Sequence, residues 1–220
     1  MTAPSAAGPQ AGLRGLLSRA PVIPVLIVDD ADLAIDLAET LVEGGLPVLE
    51  LTLRTPAALR AVERIAAHVP GAIVGTGTVL RPDDLKASAD AGAVFAVSPG
   101  LSPGLLAAAA RAPLPLLPGV ATISEAMTAA EQGFDTLKLF PAAPIGALRL
   151  LPAWAGPLPA LRFCPTGGVR AEELPAYLAL PNVICVGGSW VATPALIAGR
   201  QWSEIRARAA EASSTGARRG

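Results

Sequence analysis

Cysteine, histidine, lysine and aromatic residues are all scarce in this chain, and each shortage narrows what the protein can be. The two cysteines among 220 residues, Cys164 and Cys185, sit inside apolar segments with no CxxC spacing. They read as core thiols and offer neither a disulfide framework nor a zinc site. The single histidine, His68, stands at the end of a helical pattern just before Pro70, where a surface position is expected. Without a second histidine, or carboxylates clustered at ligand spacing, metal catalysis has little support. Aromatics make up 4% of the chain, the formal net charge is −1, and no run of Lys or Arg occurs. A nucleic-acid surface, which needs clustered cations for phosphates and rings for bases, is therefore not expected. No apolar stretch reaches the roughly 18 to 20 residues of a membrane span, because charges and prolines interrupt every candidate. A small molecule is the expected partner.

What the chain does have is apolar mass, with 52% hydrophobic and 16% charged residues, which suits one compact domain with a large core. Met1–Gly12 is small and polar, lacks the charged start and apolar run of a signal peptide, and predicts a flexible segment on a cytoplasmic protein. Ser213–Gly220 reads as a solvated tail, leaving residues 13–212 as the domain.

Within it, eight short β-rich runs alternate with helical patterns. The strands are expected at Val22–Val28, Val48–Leu53, Ala72–Thr76, Ala93–Val97, Leu114–Leu117, Thr136–Phe140, Leu161–Cys164 and Val183–Val186. Asp30 can cap a helix over Ala31–Glu43 that stops at Gly44 and Gly45. Thr55-Pro56 and Ser102-Pro103 each place a capping hydroxyl before a proline that needs no amide hydrogen. Thr122 and Glu125 have capping-box spacing for a helix to Gln132. Weaker helical patterns cover Pro82–Asp90, Ala147–Trp154, Ala171–Leu180 and Trp202–Ala212. Eight regular repeats without a large insertion favour closure of the parallel sheet, so the expected fold is an α/β (β/α)8 TIM barrel, with a short extra helix, Leu13–Arg19, over its bottom.

In such barrels the reactive groups gather at the C-terminal ends of the strands. Polar residues inside otherwise apolar strands are then the anomalies, since an unpaired charge in a core is expensive. Lys138, one of only two lysines, sits in Thr136-Leu137-Lys138-Leu139-Phe140. Alternation sends Leu137 and Leu139 toward the helices and Lys138 toward the barrel axis. At the reference pKa of about 10.4 only roughly one amine in 2,500 is neutral at pH 7, but desolvation or a neighbouring cation can lower that value, and a neutral amine attacks carbonyls. The other lysine, Lys86, follows Pro82-Asp83-Asp84 on a polar helix and reads as solvated. In Val48-Leu49-Glu50-Leu51-Thr52-Leu53-Arg54 the leucines share one parity and Glu50, Thr52 and Arg54 the other, which turns the polar groups inward. Glu50 can then carry protons near Lys138, and Arg54 can hold a carboxylate with its fork of donors; a structural Glu50–Arg54 or lysine–carboxylate pair is the plain alternative. Thr166-Gly167-Gly168-Val169 after the seventh strand and Gly187-Gly188-Ser189-Trp190 after the eighth supply backbone amides and hydroxyls for a phosphate. Gly75-Thr76-Gly77-Thr78 is too short for a dinucleotide fingerprint; its glycines can let backbone approach the site, and Thr78 offers a hydroxyl.

Leu49-Glu50-Leu51-Thr52-Leu53-Arg54-Thr55, Gly75-Thr76-Gly77-Thr78-Val79-Leu80, Ser98-Pro99-Gly100, Pro118-Gly119, Leu137 to Ala142, Arg162 to Val169 and Gly187 to Trp190 together resemble the 2-keto-3-deoxy-6-phosphogluconate aldolase family, in family order and over nearly the whole chain from Val22. The resemblance implies a class I aldolase in which Lys138 forms a Schiff base with the 2-keto carbon and Glu50 is the acid/base residue. It further implies that Arg54 and Thr78 bind the keto-acid carboxylate, Pro99 and Phe140 wall the pyruvyl part, and Thr166, Gly167, Gly168, Gly187, Gly188 and Ser189 grip the phosphate. A keto-acid sugar phosphate as substrate, no metal or organic cofactor, a homotrimer, the Entner-Doudoroff pathway and a second activity on 4-hydroxy-2-oxoglutarate follow from the same resemblance. One departure stands out: relatives commonly have an acidic residue and a Gly-Gly pair after Phe140-Pro141-Ala142, where this chain reads Ala143-Pro144-Ile145-Gly146. A sugar-phosphate isomerase or epimerase, or a noncatalytic sugar-phosphate binder on the same barrel, would also use the phosphate grip.

Overall fold

The computed structural model describes residues 10–217; the remainder of the two expected flexible ends, 1–9 and 218–220, lies outside the described residues. In chain order the described residues form α1 (Leu13–Leu17), β1 (Val22–Leu26), α2 (Ala34–Glu43), β2 (Val48–Thr52), α3 (Ala58–His68), β3 (Ile73–Gly77), α4 (Pro82–Asp90), β4 (Ala96–Val97), α5 (Pro103–Ala109), β5 (Leu116–Leu117), β6 (Gly119–Val120), α6 (Ile123–Glu131), β7 (Thr136–Leu139), α7 (Ala147–Ala155), β8 (Arg162–Pro165), α8 (Leu174–Leu178), β9 (Val186–Gly188), α9 (Pro194–Ala198) and α10 (Trp202–Ala217). Every strand pairing is parallel, in a curled six-stranded sheet ordered β5-β4-β3-β2-β1-β9 and a three-stranded sheet ordered β6-β7-β8.

The strands are almost wholly buried, as parallel strands covered by crossover helices must be. The helices bury one stripe each: Leu37, Ala38 and Leu41 on α2, and Ala58, Ala61, Val62 and Ile65 on α3, at the helical period. Local signals fixed several ends. Thr122 Oγ1 accepts from the Glu125 amide at 3.2 Å while the Glu125 carboxylate accepts from Thr122 N at 2.9 Å, completing the capping box of α6. Ser102 caps α5. Asp30 caps a 3-10 turn, Ala31–Leu33, rather than α2 itself.

Other ends differ from expectation for identifiable reasons. Thr55 does not cap α3, because its hydroxyl donates to the Val28 carbonyl and the helix begins at Ala58. The fifth strand, expected at Leu114–Leu117, is reduced to β5, and an unexpected strand, β6, follows Pro118, which has no amide for a ladder. The last strand runs Val186–Gly188 rather than Val183–Val186; Val183 makes an isolated bridge to Phe163 instead. A further short helix, α9, starts at Thr193-Pro194, which carries the same cap-and-proline signal as Ser102-Pro103. The last helix continues to Ala217, five residues into the segment expected as tail. Gln10, assigned to the flexible start, is buried: its amide donates to Leu116 O at 3.0 Å and to Thr136 O, and accepts from the amides of Asp135 and Thr136. It thereby ties β5 of one sheet to β7 of the other.

Candidate active site

Glu50 lies in the middle of β2, between Val25 and Gly75 in register, and Lys138 lies in β7, between Gly119 and Cys164. Each charged side chain has a glycine at its level on one neighbouring strand; the Phe95 ring packs over Gly75 and the Pro99 backbone over Gly119. Lys138 Nζ donates to Glu50 Oε1 across 3.1 Å, with the two residues 5% and 3% exposed, so the contact joins the two sheets through the core. The inward parity read from the sequence is the observed one, and the carboxylate partner of the lysine is Glu50. Gly77 completes the arrangement: a Cβ built there would fall on the Glu50 carboxylate, so glycine is what permits the backbone of β3 to approach it.

A cavity of about 240 Å³ opens at the C-terminal ends of the strands, lined by Val25, Ile27, Arg54, Lys138, Phe140 and parts of the two glycine-rich turns; Gly188 does not line it. Arg54 is exposed at the end of β2 and donates from Nε to Thr78 Oγ1 at 3.2 Å, not to Glu50. The Phe140 ring lies with its centroid 5.4 Å from Lys138 Nζ, and its Phe140-Pro141 peptide is cis. Pro99 is the expected wall residue that the structure places elsewhere. It lines a separate groove of about 200 Å³ with Val79, Leu80 and Gly100, and its carbonyl lies against Gly119, the strand neighbour of Lys138.

Thr166, Gly167, Gly168 and Val169 face the same cavity as Gly187 and Ser189. Gly167 and Gly168 have φ of +97° and +75°, a region that an L side chain avoids. Among the described residues the amides of Gly167, Gly168 and Val169 donate to no backbone acceptor, and Ser189 Oγ makes no hydrogen bond. Gly187 allows Thr166 to pack against it, and Gly188 sits under the Trp190 ring, whose residue's carbonyl accepts from Arg208 Nη1 of α10 at 2.9 Å. A larger depression of about 500 Å³ lies beyond Val169, with Arg170 and Arg208 paired to Glu173 and Glu204. It has no inward nucleophile, so the smaller cavity over Lys138 is the better candidate for chemistry.

The family model for KDPG and KHG aldolase matches residues 13–208. The chain belongs to this aldolase family. A 2-dehydro-3-deoxy-phosphogluconate aldolase from Dickeya dadantii is 45% identical over 197 residues, covering 90% of this chain and 92% of the relative, and a KHG/KDPG aldolase from Escherichia coli K12 matches to the same extent. Among solved structures, KDPG aldolase from Legionella pneumophila aligns with a TM-score of 0.89 at 42% identity, over 91% of this chain and 97% of that one; it holds pyruvate as a covalent carbinolamine intermediate.

Several residues of this family member's site escaped sequence reasoning. Val25 and Ile27 share the parity of an inward face but carry no polar signal. Cys164, expected as a core thiol and indeed buried and free, also stands beside Lys138 in register and 3.7 Å from Thr166 Oγ1. A hydrogen bond with the Cys185 side chain lowers its thiol pKa below the usual range; burial opposes this, while Thr166 and the Lys138 charge assist. Strand parity applied to Leu161–Cys164 would have turned Cys164 toward the lysine. His68 is exposed, with Nδ1 2.9 Å from Arg64 O, and Lys86 is exposed beside Asp90, both as expected.

Proposed function

We propose that this chain cleaves 2-keto-3-deoxy-6-phosphogluconate to pyruvate and glyceraldehyde 3-phosphate through a Schiff base on Lys138, and 4-hydroxy-2-oxoglutarate to pyruvate and glyoxylate by the same steps. The observation that carries this reading is the buried 3.1 Å contact between Glu50 Oε1 and the Nζ of Lys138, which lines the cavity, in a chain of this family. Glu50 accepts a proton from the lysine, whose nitrogen then attacks carbon two of the keto acid. The carbinolamine loses its hydroxyl as water, with Glu50 returning the proton, and an iminium forms. Breaking the bond between carbons three and four sends its electron pair into the iminium, while the carbon-four hydroxyl gives its proton to Glu50 and the aldehyde departs. Protonation of the enamine at carbon three, then addition of water, releases pyruvate and restores the lysine. Every electron pair has a sink on the substrate or the lysine, so the cycle calls for no metal or organic cofactor.

Arg54, with Thr78 beside it, is the carboxylate anchor in this reading, Phe140 flanks the pyruvyl group, and Thr166, Gly167, Gly168, Gly187, Gly188 and Ser189 take the phosphate. Anchoring both ends holds the carbonyl at Lys138 by groups remote from the broken bond. The reading also includes a closed (β/α)8 barrel. Three features support closure: the bridges Phe163 to Val183 and Thr166 to Gly187 between the two sheets, the continuity of β5 and β6 across Pro118, and the Glu50–Lys138 contact. A cytoplasmic homotrimer belongs to the same reading, with Leu80, 59% exposed beside the Pro99 groove, as apolar surface for the contact.

Incubation with pyruvate and borohydride, followed by peptide mass analysis, tests the chemistry. A reduced pyruvyl adduct on Lys138 is expected. An active preparation that forms no adduct would sink the Schiff base in favour of an isomerase or epimerase. Ligand binding without any keto-acid cleavage would leave a noncatalytic binder.

A further inference from the structure

We infer that the backbone of Ala142 and Ala143, in the loop after β7, aims the anion-binding amides of the turn after β8; the inference rests on the aldolase reading and names a positioning element within it. The Ala142 amide donates to Thr166 O at 2.7 Å and the Ala143 amide to Gly167 O at 2.9 Å. Each of those carbonyls shares a planar peptide with the next residue's N–H, and among the described peptides only Phe140-Pro141 is cis. In a trans peptide the carbonyl and the N–H point opposite ways. Drawing the carbonyls of Thr166 and Gly167 toward the loop therefore turns the N–H groups of Gly167 and Gly168 away from it, on residues that line the cavity.

The loop can impose that direction because it is itself fixed. Gly146 N donates to Ala143 O and Ala147 N to Ala142 O, both at 3.0 Å, so the same two residues are tied to the start of α7 on their other side. Packing removes the remaining slack. A Cβ on Gly168 would stand 2.9 Å from the Ala143 methyl and 3.8 Å from Pro144 Cδ, so the turn already rests against the loop. Charge makes the aim matter. Of the two cations lining the cavity, Lys138 is paired with Glu50 and Arg54 is assigned to the carboxylate, which leaves a terminal phosphate to neutral donors whose strength depends on direction. Ala143-Pro144-Ile145-Gly146, the stretch that departs from the family pattern, is thus assigned to recognition of the phosphorylated end.

Ala143→Pro removes the amide that holds Gly167 O, Ala143→Ser keeps it, and Pro144→Gly loosens the loop without touching a donor. KM and kcat are measured for 2-keto-3-deoxy-6-phosphogluconate and for 4-hydroxy-2-oxoglutarate, whose second carboxylate sits next to the broken bond and is too near to reach the turn. Ala143→Pro should raise the KM for the phosphorylated substrate about tenfold or more, the scale of a hydrogen bond to a charged group. Pro144→Gly should raise it about threefold and Ala143→Ser should restore the wild-type value. Turnover of 4-hydroxy-2-oxoglutarate and pyruvate trapping on Lys138 should stay within about twofold. An unchanged phosphorylated-substrate KM in Pro144→Gly and in any folded Ala143→Pro, or an equal loss on both substrates, overturns the inference. Titration with inorganic phosphate, expected to bind about tenfold more weakly to Ala143→Pro and correspondingly less so to Pro144→Gly, separates this failure from that of the aldolase reading, which absence of pyruvate trapping in the wild type would expose.

Discussion

On the proposed reading, the floor and the rim of the cavity solve the same problem, holding an anionic substrate, with opposite materials. At the floor the working groups are side chains, Lys138 and Glu50, buried on strands of two different sheets and engaged with each other at 3.1 Å. At the rim they are the backbone amides proposed for the phosphate, on two glycines with positive φ whose turn accepts hydrogen bonds from the loop after β7. A side-chain site is lost by changing the side chain itself, whereas a backbone site tolerates many substitutions and fails only when its geometry or space is changed. The floor should therefore give the larger kinetic losses and the rim the more selective ones.

The sharpest break of that comparison is at Lys138. Lys138→Arg keeps a cation near Glu50 but replaces the amine by a guanidinium that stays protonated and cannot add to a carbonyl. Cleavage of both keto acids and trapping of pyruvate should disappear together; near-native turnover in the variant would refute the nucleophilic role. One step down, Glu50→Gln keeps the shape and removes the proton acceptor, and should slow kcat by about a hundredfold or more on both substrates. Gly77→Ala tests the same carboxylate from outside, because the added methyl must displace it, and should reproduce most of that loss with Glu50 still present. A wild-type rate and pH profile in both variants would remove Glu50 from the mechanism.

The floor was legible in the sequence and the support of the rim was not. A lysine between two leucines, and a glutamate in a leucine-rich strand, announce themselves because a core charge demands a reason, and period two gives their direction. The position of the glycine-rich turns at the strand ends was legible for the same reason that any glycine cluster there is. Their steering was invisible, since Ala142 and Ala143 contribute only backbone, and no residue type encodes which carbonyl an amide will reach. Pro99 was carried by resemblance alone and lies in a neighbouring groove. Gln10 was lost in a segment whose small, polar residues read as solvated, although one amide side chain there makes four hydrogen bonds to the ends of β5 and β7. The strand boundaries near Pro118 and Val183 moved because ladder pairing is decided by the neighbouring strand, which local propensity does not contain.

The smallest effect is expected where the rim uses a side chain. Ser189 is exposed, lines the cavity and makes no hydrogen bond among the described residues, so its hydroxyl rotates freely in water before substrate arrives. Binding must exchange that hydration for a phosphate oxygen and fix the rotor, which cancels part of the gain from a hydrogen bond to a charged group. The amides of Gly167 and Gly168 carry no such cost, because their direction is set in the free protein. Ser189→Ala should thus raise the KM for the phosphorylated keto acid only about three- to fivefold, less than Ala143→Pro does, and leave 4-hydroxy-2-oxoglutarate unaffected. Parallel KM measurements on the two variants decide the order. A larger loss from the hydroxyl than from the misdirected amide would mean that the rim, like the floor, recognises its anion through side chains.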